Sequence, residues 1–405
     1  MKILYFSQFF VPEQIAGAFR ASDNSRLWAE RGHDVTVFTG YPNYPVGKIF
    51  DGYDPQLLSE EYIDGVRVLR SKIIAKPNTS MIHRIVNALS FFGFGLINFI
   101  FNGKKLRRKY DVILGTSGPI FAALLGWIYA LFTRTPFVFE IRDITYRQMM
   151  ATGKTSGSIG VRIMKFLELF LAKRAKAVVV VTNGFKKILI EDGIDAKKIH
   201  VITNGVDAQA LAVDRSQEEG LLLSYFGTLG ISQNIMDTFP YAEEMAKHCE
   251  AFSYLIIGEG AQREMIEQAV ARGEAPYVNI MKGMTSQALE PYYEKSMLSV
   301  IALKKSDNFR YTIPSKLFQI MGRGIGVLFI GPEGETAEII RKYRTGIVLT
   351  GSIEEDMDVI RDFFSKDNWR NELIQMGQNG AQTVKQYYTR TALAVQYEKL
   401  LMDIK

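Results

Sequence analysis

Short runs of Val, Ile, Leu and Phe alternate with helix-length amphipathic segments from one end of this chain to the other. Few folds accept such a pattern. A continuous apolar run is a strand covered on both faces, and a helix-length connection between such strands makes them parallel, because a parallel neighbour is reached only by a long crossover. Strands are predicted to begin at Lys2, Asp34, Val66, Asp111, Pro136, Ala177 and Ile199, and a second set at Leu221, Ser253, Val278, Leu298, Gly326 and Thr345. Each set suffices for one doubly wound sheet. A length of 405 residues exceeds what one hydrophobic core serves, and the turn-forming Asn204-Gly205 followed by a polar stretch marks the boundary. The fold class is therefore α/β: two Rossmann-like domains, 1–205 and 206–380, whose parallel sheets face an interdomain cleft, with a C-terminal helix at 381–405 able to pack back on the first domain. Open parallel sheets bind ligands at the carboxyl ends of their strands, so the chemistry is expected there.

Charge divides the chain as the strands do. Residues 1–205 carry 28 Lys+Arg against 16 Asp+Glu, and residues 206–405 carry 21 against 27, so a net +6 hides a basic half and a mildly acidic one. A basic half suits nucleic acid, an anionic lipid surface or phosphorylated ligands. The single cysteine, Cys249, excludes an intramolecular disulfide and any multi-cysteine metal site, which suits a reducing compartment. The start imitates a secretion signal with Lys2, an apolar run and Ala16-Gly17-Ala18, but Ser7, Gln8, Pro12 and Glu13 interrupt it. A cytoplasmic protein is expected.

One segment, SFFGFGLINFIFNGKKLRRK, runs from aromatic residues straight into cations. Residues 85–101 carry no charge and as a helix would reach about 25 Å, short of the roughly 30 Å hydrocarbon core, so a span is not expected. Ser80, Arg84, Asn87, Asn98, Asn102 and Lys105 share one helical stripe, with an apolar face opposite for packing on a sheet. Phe91 and Phe94 fall on or beside the polar stripe, where water is expected, and Lys104, Lys105, Arg107, Arg108 and Lys109 follow. A helix half covered by the protein, with Phe91 and Phe94 dipping into a bilayer and the cations on anionic head groups, accounts for both features.

Several strand ends carry groups suited to ligands. Gly17 lies in the loop between the first strand and its helix, and FVFEIRD delivers Glu140, Arg142 and Asp143 to a strand's carboxyl end. An Arg-carboxylate pair steadying the loop is the competing reading of that trio. His33 is placed to serve a turn at the amino end of a strand. In the second half, SYFGTLGISQN and YLIIGEGAQREMI each run strand, glycine turn, helix, which puts Gly227, Thr228, Gly258, Glu259 and Gly260 at the ligand edge. In YTIPSKLFQIMGRG, Pro314 suits a first helical turn while Ser315 and Lys316 bring a hydroxyl, amides and a cation to its start. A diphosphate is the natural occupant. The GKT of MMATGKTSGS lacks the first glycine of a P-loop, and Asp356-Met357-Asp358 reads as a solvated helix face and not as a metal site. His83, His200 and His248 have no ligand spacing, and no metal is expected.

The elements PEQIAGAFR, GHDVTVFTGYPNYPVGKIFDGY, NGVD, IIGEG and PSKLFQIMGRG together resemble the retaining, metal-independent nucleotide-sugar glycosyltransferases of the GT-B fold, family 4. The PNYPVG and PSK elements are most similar to bacterial surface-polysaccharide enzymes related to N-acetyl-L-fucosamine transferases. Where the family carries two glutamates separated by seven residues, this chain has Tyr311 and Gln319; the Arg/Lys pair after the second domain's first strand is absent; and Asp143 stands where relatives place a histidine.

The resemblance implies transfer of a sugar from a UDP-sugar to a polyprenyl-diphosphate-linked saccharide, in O-antigen or capsule synthesis, with retention and without a cofactor. Domain 1–205 would face acceptor and membrane, and domain 206–380 would hold the donor. Donor contacts are expected from Gly17, Gly227, Thr228, Gly258, Glu259, Gly260, Gly283, Met284, Pro314, Ser315, Lys316, Leu317 and Gln319, and acceptor contacts from Arg20, Glu140 and Arg142, with Asp143 and Lys316 catalytic. The expected partners are a UDP-sugar, the lipid-linked acceptor and an anionic membrane surface, with no nucleic acid, and the protein is expected on the cytoplasmic face of the cell membrane. A UDP-sugar epimerase of the same architecture and a catalytically decayed membrane-bound partner protein are the alternatives. A nicotinamide enzyme is disfavoured, because no G-x-G-x-x-G follows the first strand.

Overall fold

A computed structural model describes residues 1–106, 108–151, 155, 157–207, 220–306 and 309–405. The chain divides into two compact units, Met1–Asn204 with Arg390–Lys405, and Gly205–Thr389.

The first unit holds β1 (Lys2–Phe6), β2 (Asp34–Gly40), β3 (Leu58–Ile63), β4 (Val66–Ser71), β5 (Val112–Thr116), β6 (Phe137–Ile141), β7 (Ala177–Val180) and β8 (Ile199–Val201) in the order β3-β4-β2-β1-β5-β6-β7-β8. Every neighbouring pair is parallel except β3 with β4. The order reverses between β1 and β5, which makes their carboxyl ends the switch point where such sheets take ligands. β3 is the strand that sequence reasoning missed. In LSEEYI, at a sheet edge, only Leu58 is buried and the rest alternate partly exposed with exposed, so the strand lacks the continuous apolar run that marks its doubly covered neighbours.

One face of this sheet is covered by the helix Ala16–Glu30 and by the chain's last helix, Arg390–Ile404. Trp28 meets Tyr397 edge-on at 5.2 Å and donates to the carbonyl of Ala394 at 3.1 Å. Glu398 receives Arg31 and lies 2.6 Å from His33 Nε2, so His33 anchors the C-terminal helix.

The opposite face carries the helices Met81–Phe101, Ile120–Thr133 and Ile159–Arg174. Met81–Phe101 is set the other way round from the expectation. Asn87, Asn98 and Phe91 lie on the buried side, and the sequence's apolar face points outward. Phe91 is 0 % exposed and packs on Phe38 at 5.7 Å, so it is a core residue and does not reach a bilayer. The cause is backbone demand. The chain entering β3 and the chain leaving β4 have main-chain groups to satisfy: Asn98 donates to Leu57 (2.9 Å), Ser90 accepts from Ile74 (2.9 Å), and Asn87 pairs both groups of Lys76 (2.8 and 2.9 Å). Phe94 is partly exposed, with Lys72 Nζ 5.9 Å from its ring; Lys104, Lys105, Arg108 and Lys109 are exposed, and Arg107 lies outside the described residues.

The second unit holds β9 (Leu221–Phe226), β10 (Phe252–Ile257), β11 (Val278–Met281), β12 (Leu298–Ala302), β13 (Gly326–Ile330) and β14 (Gly346–Leu349), ordered β11-β10-β9-β12-β13-β14 and all parallel. Its switch point falls between β9 and β12. Asp356, read as part of a solvated face, is 3 % exposed and accepts from Gly351 N, Lys305 Nζ and Tyr241 Oη. Burial is tolerated because Lys305 neutralises it.

Candidate active site

In the second unit three glycine turns converge at the carboxyl ends of β9, β10 and β11. Gly227 has φ +150°, and a Cβ there would fall 1.6 Å from Lys316 Nζ. A Cβ on Gly258 would meet the Gly227 carbonyl oxygen at 1.8 Å, and one on Gly260 the Leu229 carbonyl oxygen at 2.4 Å. The turns therefore touch main chain to main chain, which only glycine allows. Glu259 accepts from Gly283 N at 3.1 Å, while Arg263 ties Gly258 to Met281 through bonds of 2.6 and 2.9 Å to their carbonyls. Thr228, Glu259, Gly260 and Gly283 are exposed along this edge, and Met284 is partly buried beside them.

Lys316 opens the helix Lys316–Gly322 and turns its ammonium onto this cluster. Nζ lies 4.4 Å from the centre of the Tyr225 ring and 3.4 Å from its hydroxyl, whose own proton is given to the Thr228 carbonyl at 2.6 Å. Burial lowers the Lys316 pKa to about 8. No carboxylate pairs with it among the described residues. A partly buried cation with an aromatic face and a hydroxyl beside it is a place for an anion. Ser315 is exposed and already helical, and Pro314 and Gln319 are partly buried. Leu317 is a correction: its side chain is 0 % exposed in the core, and its N–H donates to the Pro314 carbonyl, so neither faces a ligand.

In the first unit the expected trio separates into two roles. Glu140 is 0 % exposed and accepts from Tyr5 Oη (2.6 Å) and Arg20 Nε (2.9 Å), and Arg20 also donates to the carbonyls of Ile202 and Thr203 and to Asn204 Oδ1. Burial alone would raise the Glu140 pKa, but the Arg20 charge, both hydrogen bonds and the Arg142 charge hold it below the usual range. Arg20 and Glu140 thus position the strand ends, and their polar atoms are occupied within the unit. The ion pair considered for this loop exists, with Arg20 as the partner.

Arg142 and Gly17 do come together. A Cβ on Gly17 would meet Arg142 Nη1 at 2.3 Å, and Arg142 N donates to Ser117 Oγ at 3.0 Å, so the loops after β1, β5 and β6 meet at the switch point. Asp143 reaches solvent at this rim. Surrounding protein raises its pKa, against the opposing charge of Arg142 and a hydrogen bond from Gln148. Behind it stands Glu168, which sequence reasoning missed. It is 1 % exposed, accepts from Thr145 N at 2.9 Å, and has a second oxygen without a hydrogen-bond partner. Burial raises its pKa to about 7 despite hydrogen bonds from Thr145 and Tyr146, with the Asp143 charge adding to the rise. A lone acid inside the apolar helical run MKFLELFLAK was the available signal. Among the described residues no group of three or more His, Cys, Asp or Glu could hold a metal ion.

The chain resembles known proteins in sequence and in fold. Residues 17–205 match the Glycosyl transferase 4-like domain. WcaI of Escherichia coli (strain K12), assigned provisionally as a colanic acid biosynthesis glycosyl transferase, is 22% identical over 341 residues, 80% of this chain and 82% of that protein. Among solved structures, sucrose-phosphate synthase from Thermosynechococcus elongatus superposes with a TM-score of 0.66 at 15% identity, covering 99% of this chain and 98% of that one. Anabaena HepE in complex with UDP gives a TM-score of 0.66 at 13% identity over 100% of both chains. These likenesses, with two doubly wound sheets, show a GT-B fold. Within that fold, the first unit is the part that resembles a Glycosyl transferase 4-like domain.

Proposed function

We propose that the protein moves a sugar, N-acetyl-L-fucosamine being the one its motifs favour, from a UDP-sugar to a polyprenyl-diphosphate-linked saccharide, with retention, at the cytoplasmic face of a membrane during surface-polysaccharide synthesis. The observation that carries this reading is the partly buried Lys316 ammonium, held over Tyr225 and against Gly227 at the ligand edge of β9 with no carboxylate partner among the described residues. A nucleoside diphosphate supplies the missing counter-charge, and HepE of the same fold was solved with UDP. The glycine turns let its phosphates approach main-chain amides, and Glu259, Gly283 and Met284 border the nucleoside side.

As the glycosidic bond stretches, the leaving diphosphate gains charge that Lys316 and those amides stabilise more strongly than they do the ground state. The departing phosphate itself takes the acceptor's proton in front-face attack. Asp143, beside Arg142, orients the acceptor hydroxyl, and the first unit's ligand edge is the acceptor side. The deciding experiment incubates the purified chain with a panel of UDP-sugars and synthetic lipid-linked acceptor and reads products by mass spectrometry. A product whose mass equals acceptor plus one sugar, absent with Lys316→Ala, is expected. Isomerised UDP-sugar formed without acceptor would replace this reading with an epimerase, and no UDP binding at all would leave a partner protein.

A further inference from the structure

Three helices of the first unit lie side by side on one face of its sheet. Phe99 of Met81–Phe101 touches Phe132 of Ile120–Thr133 at 5.3 Å, and Trp127 of that second helix meets Phe170 of Ile159–Arg174 at 5.0 Å. Away from the sheet, this layer is apolar where water would ordinarily be met. Ile82 is 72% exposed, Phe101 76%, Phe132 69%, Ile159 75% and Phe166 66%. An open groove of ≈ 490 Å³ runs between Ile159, Arg162, Ile163, Phe166 and Leu167 on the third helix. Isolated exposed apolar residues are ordinary, but a patch built from three neighbouring helices marks a surface that something covers.

Charge identifies the occupant. The three helices contain one carboxylate between them, Glu168, and it is 1 % exposed. Arg84, Lys104, Lys105, Arg108, Arg134 and Arg162 are exposed on or beside them. A second copy of the chain would set cation against cation across such an interface. An anionic bilayer offers hydrocarbon to the side chains and phosphates to the cations.

Met81–Phe101 is the one helix among the described residues long and apolar enough to cross a membrane, yet only 28% of its most apolar stretch is buried in the protein. Its inner side is hydrogen-bonded to Leu57 and Lys76 of the sheet's edge, so a span would strand those main-chain groups in lipid. We propose that the three-helix face is a monotopic insertion surface, lying in one leaflet of an anionic bilayer with Phe132, Ile159, Ile163 and Phe166 in the acyl region. This rests on the membrane-facing reading of the first unit given above, and names the surface and its mode of contact.

The test is flotation of the full chain with vesicles of phosphatidylcholine alone or mixed with phosphatidylglycerol, at low and high salt, with brominated acyl chains as a depth probe. Wild type should bind the anionic vesicles, and the bromines should quench its tryptophan fluorescence through Trp127. Quenching should be lost in Trp127→Phe. Ile163→Asp with Phe166→Asp, both exposed positions, should lower vesicle partition about tenfold or more even with the cations intact. The quadruple change of Lys104, Lys105, Arg108 and Lys109 to Ser should remove mainly the salt-sensitive part. Binding by wild type without quenching, or an unchanged partition in the Asp double variant, would overturn the proposal. A wild-type dimer made monomeric by that variant, with vesicle binding unaltered, would assign the face to self-association. UDP titration on the same samples separates the two readings: nucleotide binding without vesicle binding sinks only the insertion surface, and the reverse sinks only the donor site.

Discussion

Replacing Lys316 with methionine separates the cost of the buried charge from its use. The side chain keeps its length, and the ammonium goes. In the folded protein Lys316 titrates at about 8 instead of 10.5, and the difference corresponds to roughly 3 kcal/mol spent on keeping it charged at neutral pH. That shift is already the net of burial and of any attraction to the Tyr225 ring, so the whole of it counts as penalty at pH 7. The ligand-free Lys316→Met protein is therefore expected to melt higher than wild type at pH 7, by about 2 to 4 °C per kcal/mol.

The sign with pH follows from proton counting. Between about 8 and 10.5 the unfolded chain binds the Lys316 proton and the folded chain does not, so wild-type stability gains from this group as pH rises through that window. Below about 8 the penalty is present in full, and the advantage of Lys316→Met should disappear by the top of the window. UDP reverses the ranking. Charge-assisted bonds to a phosphate are worth about 1.5 to 3 kcal/mol, so the variant should bind UDP about 10- to 150-fold more weakly. Wild-type affinity should itself decline above pH 8 as the free lysine loses its proton. Isothermal titration at pH 7 and 9.5, paired with thermal melts with and without UDP, reads all of this. Equal UDP affinity in the two proteins, or a variant that is less stable without ligand, would refute the assignment of Lys316 as an anion-binding cation held in waiting.

Gly227→Ala places its Cβ where the Lys316 ammonium sits, so Nζ must withdraw by about 2 Å to reach ordinary contact; UDP affinity should fall about tenfold by titration, with little further loss on adding Lys316→Met. Glu168→Gln should abolish a decline in wild-type stability between about pH 4.5 and 7 in urea melts, because a carboxyl whose folded pKa is raised from 4.5 to about 7 has its contribution in full below that window and has lost it at the top. Glu398→Ala leaves His33 and Arg31 without their acceptor and should cost about 2 to 4 kcal/mol, with faster hydrogen exchange concentrated in Arg390–Ile404. Transfer activity is expected to survive EDTA, measured by product mass; strict dependence on added Mg²⁺ would oppose charge stabilisation by Lys316 and amides alone.

Much of the fold is readable from composition along the chain, for a physical reason. Strands covered on both faces must be apolar throughout, and the runs at Leu4, Val35, Leu223 and Leu328 have no other use, so thirteen strand starts fall within one residue of where the runs begin. β3 escaped because one of its faces meets water. In the site, glycine turns after strands are also readable, since Gly227, Gly258 and Gly260 stand where only a missing Cβ lets three loops touch. What a linear reading misses is which charges neutralise one another. Glu140 was expected beside Arg142, and its closest cation is Arg20, 120 positions earlier, because a parallel sheet brings the first and sixth strands near the same edge. Glu168 was unreadable for a related reason: the two main-chain groups it holds belong to a turn more than twenty residues away.

The helix Met81–Phe101 shows the limit of periodicity itself. Spacing at 3.6 residues says which side chains share a face, and it correctly groups Asn87 with Asn98. It does not say which face goes inside. Hydrophobicity alone would bury Ile82, Ile85 and Leu89, yet these stay exposed while the asparagines are covered. An unpaired main-chain group buried at the sheet edge costs about 1 to 3 kcal/mol, comparable to the gain from burying one aliphatic side chain, and two asparagines with one serine satisfy several such groups at once. The edge segments before β3 and after β4 therefore decide the orientation, and an apolar face is left outside. If that face lies on lipid as proposed, the bilayer recovers the apolar burial, and the same asparagines that complete the sheet also leave the surface free for it.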